Sequence, residues 1–173
     1  MTRHLFFTAS ILCALGAATA VAVADGQTKA DDAISVPARD DAQREKELAT
    51  AGKNTTDELC TQCHGLEDIT GSRRTPREWN DVVSMMVDRG VSGTDAQIAT
   101  VKQYLTRYYG MLWVNTASAQ DFSNVLGLSS KDADAVVEYR KAHGKFPDAA
   151  ELAKVPGIDK TKIDEQPDAL RFD

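Results

Sequence analysis

AQDFSNVLGL, residues 119–128, and AAELAKVPGI, residues 149–158, are two versions of one pattern. Ala119, Phe122, Val125, Gly127 and Leu128 align in turn with Ala149, Leu152, Val155, Gly157 and Ile158, at an offset of 30 residues. Apolar residues three apart, followed by glycine, read as a short helix stopped by a tight turn, and the repeat signals a module built from two such units. Between the copies, Ser129 is positioned to cap a longer helix over about 130–143. Its Ala133, Val136, Val137 and Arg140 share a face, and Gly144 ends it. Pro167 cuts short the last helix.

Upstream, the same start and stop signals recur. Thr75-Pro76-Arg77-Glu78 is a capping box with proline at the first helical position; Trp79, Val82, Val83 and Met86 follow on one face, and Gly90 ends a helix expected over 76–89. Thr94-Asp95-Ala96-Gln97 is a second box, followed by Ile98, Val101, Leu105 and Tyr108 at helical spacing and then by Gly110. A short helix is expected from Thr56 into Cys63, with Thr55 as its cap and Glu58 three residues on. No stretch alternates as a strand does, so the expected fold is all-α.

Residues 1–24 have the form of a secretory signal: Arg3 and His4, an apolar run from Leu5, and Ala22-Val23-Ala24 as a small-x-small cleavage site. The alternative is an uncleaved membrane anchor, because the run approaches the roughly 20 residues that a spanning helix needs. Cys13 falls inside this segment, with bulky Leu12 where a lipid-attachment site wants a small residue. Residues 25–41 lack any period and read as a flexible tether. Cleavage removes Arg3 and no acidic residue, leaving 19 basic against 26 acidic side chains, a formal charge of −7. Such a balance disfavours nucleic acid and anionic membranes as general partners.

The chemistry lies in CTQCHG, residues 60–65. Export would put Cys60 and Cys63 in an oxidising compartment, where a close pair forms a disulfide unless something else claims it. Cys-x-x-Cys-His suits a haem: each thiol adds across a vinyl group, and His64 then ligates iron from the proximal side. A thioredoxin-like dithiol needs a strand–helix–strand setting that is absent from the pattern. Tetrahedral zinc needs four ligands, and His143 lies far off in the repeat. The expected cofactor is one covalent haem c. For the sixth ligand the candidates are Met85, Met86, Met111 and His143; Met86 is preferred because it shares a helix face with Trp79, expected to pack on the haem, while Met85 is turned about 100° away. A methionine on an apolar stripe is also common core filler.

On these residues the chain resembles the c-type cytochromes over about 42–110. RRTPREWNDVVSMMVDRG is similar to haem domains associated with periplasmic quinoprotein dehydrogenases, in which a tryptophan and then a methionine occupy one helix. Residues 114–158 resemble the tandem helix-hairpin-helix module of the competence DNA-receptor family. That resemblance implies non-specific DNA binding through hairpins of the form glycine–hydrophobic–glycine. Here both hairpins lack the second glycine, as Gly127-Leu128-Ser129 and Gly157-Ile158-Asp159, and residues 111–173 carry 8 basic and 11 acidic side chains. Protein docking is therefore the expected role.

The expected organisation is a signal peptide over 1–24, a tether over 25–41, a small cytochrome c-like helical domain over 42–110 and a tandem helix-hairpin-helix domain over 111–173. The expected function is periplasmic one-electron transfer without enzymatic activity, with periplasmic redox proteins as partners, a dehydrogenase among them. No nucleic acid is expected as a partner, and no membrane span after signal cleavage. The alternatives are an electron-accepting subunit of a dehydrogenase complex and a DNA-binding protein with a haem sensor. Trp113, in the apolar run 111–114, is expected to pack between the two halves.

Overall fold

Three helices begin with the same reciprocal cap. In a computed structural model that describes residues 41–173, Thr75, Thr94 and Ser118 each accept from the backbone N–H three residues on, while the side chain there accepts from the cap's own N–H. These boxes start α4 (Pro76–Asp88), α5 (Asp95–Tyr109) and α6 (Ala119–Leu126). Each satisfies donors that the first helical turn leaves without intrahelical partners. Asp121 fills the third position of the last box, where Glu or Gln is usual, so that box escapes the sequence pattern.

The first helical run is longer than expected. α1 (Asp41–Glu47) continues through a π-helical segment, Leu48–Gly52, into α2 (Lys53–Cys60). Thr55 therefore lies inside a helix and is not its cap. The reason is tertiary: Gly52 rests so closely on α5 that a Cβ there would come within 3.0 Å of the Tyr104 side chain. Packing of this kind extends helices past local stop signals. Asp41 begins α1 and is not part of a tether; the expected signal peptide and the rest of the tether lie outside the described residues.

After a turn carrying Cys63 and His64 come the single-turn α3 (Glu67–Thr70) and then α4 and α5. Leu59, Trp79, Val83, Val101, Tyr104 and Leu105 form the buried core shared by α2, α4 and α5. The second core runs from Leu112 to Leu170 and includes Phe122, Val125, Leu126, Val136, Phe146, Leu152 and Ile163. It is built by α6, α7 (Ser130–His143), α8 (Ala149–Leu152) and α9 (Lys160–Asp164). Ser129 caps α7 as its sequence position requires. Gly127 turns the first hairpin at φ 70°, and Gly157 repeats a positive φ in the second. Arg140 reaches out of α7 to donate to Val114 O and Ala117 O, at 2.6 and 2.9 Å.

Two short parallel strands, β1 (Leu112–Trp113) and β2 (Leu170–Arg171), tie the end of the chain back to the start of this module, with Leu112 opposite Leu170. The strand explains why Trp113 fails to pack between the halves. Side chains alternate along a strand, so Leu112 and Val114 are buried and Trp113 is 40% exposed. Both cores belong to one compact unit, Ala38–Asp173. Among the described residues no helix is long and apolar enough to cross a membrane.

Candidate cofactor site

The end of α2, the turn after it, α3, α4 and α5 enclose a cavity of about 580 Å³. That is within the range of small-molecule and cofactor pockets, which are mostly apolar with a few placed polar groups. Leu59, Ile69, Trp79, Val82, Val83, Ile98, Val101 and Leu105 supply apolar wall; Cys60, Cys63, His64, Met85 and Met86 supply soft or nitrogen ligands; Asp68, Arg74 and Arg89 supply charge.

Each donor is positioned by an identifiable local feature. Cys60 is the last residue of α2, and Thr61 and Gln62 anchor the next turn by donating to Asp57 O and Glu58 O. That turn brings Cys63 and His64 to the same wall. Both cysteines are free thiols; Cys60 is half-buried, and burial first, then the Asp57 carboxylate, pushes its thiol pKa up. His64 Nδ1 lies 3.0 Å from Gly65 O. A carbonyl only accepts, so the contact holds the proton on Nδ1 and leaves the lone pair on Nε2, the tautomer of a metal-ligating histidine with its other nitrogen donating to backbone.

Trp79 is fully buried, and its Nε1 donates to Tyr109 O at 2.8 Å, which locks the indole between α4 and α5. Met85 and Met86 both line the cavity; Met85 is 41% exposed and Met86 is half-buried. Met111 and His143 are not on this wall. His143 is exposed at the end of α7, stacked on Tyr139 at 4.0 Å. Arg74, like Asp68, Ile69 and Arg89, is a lining residue that the motifs do not mark, its one signal being the Arg73-Arg74 doublet before the Thr75 cap. Its guanidinium sits 5.4 Å from the Trp79 ring centroid, and its Nε is buried without a hydrogen-bond partner among the described residues.

These features fit a haem. Two thiols and an imidazole in the required order share one apolar cavity with two thioethers, and the Arg74 guanidinium on its wall could meet a haem's carboxylate arm.

The two glycine hairpins have different surroundings. Arg107, buried on α5, donates through Nη1 to Val125 O at 3.0 Å, and Gln166 donates to the same carbonyl at 3.3 Å. A Cβ on Gly127 would come within 3.1 Å of that guanidinium, so the first hairpin is seated on α5. In the second hairpin the Asp159 carboxylate accepts from Thr161 N and Oγ1, at 3.0 and 2.6 Å, and so occupies the start of α9. The Thr161 hydroxyl bond chiefly holds the Asp159 carboxyl below the usual carboxylate range.

Residues 111–171 match the model of the helix-hairpin-helix motif. Over 60 residues the chain is 38% identical to an uncharacterized protein of Haemophilus influenzae, an alignment covering 34% of this chain and 54% of that protein. The chain thus spans about half the length of the curated relative it matches. No solved structure matches it. The C-terminal part of this mostly helical chain carries a helix-hairpin-helix motif.

Proposed function

We propose that this protein is a monohaem c-type cytochrome that carries single electrons between periplasmic redox proteins, with the helix-hairpin-helix module acting as a docking unit. The observation that carries the reading is Cys60, Cys63 and His64 on the wall of one largely apolar cavity. Cys60 and Cys63 would hold the haem through thioethers and His64 would ligate its iron, with Met86 as the preferred sixth ligand and Met85 as the alternative. A bound haem supplies a one-electron iron couple, and a Met/His pair raises its potential. Trp79, Val83, Val101 and Leu105 keep water from the buried side, which needs no catalytic group and implies no substrate chemistry. Residues 1–24 support export to the compartment where such haems are attached.

A DNA-binding reading draws on the match over 111–171. Against it stand the seating of the first hairpin on Arg107, the Asp159 carboxylate at the second, and the module's excess of acidic side chains.

The experiment is expression with haem-maturation machinery, followed by haem staining on a denaturing gel and a reduced-minus-oxidised spectrum. A covalently retained c-type haem, lost in the double variant Cys60→Ser/Cys63→Ser, is expected. Its absence in the unaltered protein refutes the reading.

A further inference from the structure

Arg74 is held from three sides, and yet its buried Nε–H has no acceptor among the described residues. Its backbone N–H donates to Tyr109 O at 3.2 Å, and its carbonyl accepts from Met111 N at 2.8 Å, so the segment 109–111 pins the residue in place. Trp79 lies under the guanidinium. The neighbouring Glu78 carboxylate is occupied by the Thr75 N–H and hydroxyl, both at 2.8 Å. A buried donor without a partner is costly. It is tolerated where a ligand completes it, and an arginine fork is matched to a planar carboxylate. The cavity beside it otherwise asks for an apolar body.

We infer that Arg74 binds a haem propionate, fixing the orientation of the group and holding that propionate ionised. The inference rests on the proposed haem. Arg89, which also lines the cavity, is exposed and follows the end of α4. It is the competing cation. The paired guanidinium stabilises the reduced, less positive iron relative to the oxidised form, and it keeps the propionate from titrating near neutral pH.

The test uses the covalently loaded full chain and measures the midpoint potential from pH 5 to 8, together with the propionate bending band in resonance Raman. Arg74→Gln should lower the potential, introduce a pH dependence absent from the unaltered protein, and move the propionate band. Arg74→Lys, which keeps the charge but loses the fork, should move the band with a smaller change in potential. Arg89→Gln, which removes another charge from the same wall, should leave the propionate band unmoved. Haem staining separates the two ideas: no covalent haem in the unaltered protein defeats the proposed function, whereas retained haem with an unmoved potential, pH profile and propionate band in Arg74→Gln overturns the role of Arg74. Should Arg74→Gln fail to fold, an unmoved band in Arg74→Lys overturns it equally. So does a shift that appears in Arg89→Gln and not at residue 74.

Discussion

Replacing Arg107 should loosen the joint between the two helical parts. Its side chain is only 7% exposed; Nε lies 2.9 Å from the Glu45 carboxylate of α1, and Nη1 donates to Val125 O at the end of α6. One residue thus connects α1, α5 and the first hairpin. Arg107→Met keeps most of the stem and removes the fork. A hydrogen bond from a charged donor to a buried carbonyl contributes about 1.5–3 kcal/mol. Gln166 still serves Val125 O, which favours the lower end. The ion pair adds no more than about 1 kcal/mol, since Glu45 is 32% exposed and keeps the Tyr108 hydroxyl at 3.0 Å. The expected loss is about 1.5–2.5 kcal/mol, read from urea unfolding of the full chain by far-ultraviolet circular dichroism. Glu45→Gln should cost less, because its amide oxygen can still accept from Arg107 and Tyr108. A loss below about 0.5 kcal/mol in Arg107→Met, the level of an ordinary surface change, would refute the argument that this residue joins the parts.

Four further outcomes follow from the same contacts. Met86→Ala should abolish the weak far-red band of a methionine–iron bond in the oxidised, haem-loaded protein while Met85→Ala keeps it; the opposite pattern assigns the ligand to Met85. Thr75→Ala should destabilise by about 1 kcal/mol, the worth of a lost cap. It should also make the acid limb partly shallower: the Thr75 backbone N–H first and its hydroxyl second hold the Glu78 carboxyl low, and the substitution removes only the hydroxyl's share, a contribution present above the unfolded value that fades as pH falls through the folded one; an unchanged acid limb counts against it. Trp113→Ala should cost well under the roughly 3–5 kcal/mol of a fully buried aromatic, since the residue is 40% exposed; a loss in that higher range in thermal melts would mean that the ring is packed away. Duplex DNA should give no salt-sensitive mobility shift at physiological ionic strength, and binding abolished by deleting residues 111–173 would defeat the docking role.

What could be read from sequence was local. The starts of α4, α5 and α7 depend on residues within three positions of each cap, so Thr75, Thr94 and Ser129 were legible. The repeat around Gly127 and Gly157 was legible because both copies preserve helix spacing and turn. Cys60, Cys63 and His64 were singled out by one motif, and Trp79 and Met86 by helical periodicity; that they share a wall with Met85 is a tertiary fact. The longer first helix, the exposure of Trp113 and the position of Arg74 were not legible. Each is decided by a partner distant in the chain: Tyr104 against Gly52, β2 beside β1, and Tyr109 and Met111 around Arg74.

The contacts at residues 107–111 bear on why these two parts share one chain. Tyr109 O accepts from both Trp79 Nε1 and Arg74 N, Gly110 O accepts from Arg73 Nη1 at 2.9 Å, and Met111 N donates to Arg74 O. The next residue but one pairs with the C-terminal strand, Trp113 opposite Arg171. Two residues before Tyr109, Arg107 grips the first hairpin. The last turn of α5 is therefore fastened to the cavity wall on one side and to the helix-hairpin-helix module on the other. A flexible linker would let the parts move independently, whereas these hydrogen bonds make the backbone at the cavity and the seat of the module a single piece. Under the proposed docking role, a partner seated on the module would accordingly meet the cavity at a fixed distance and angle.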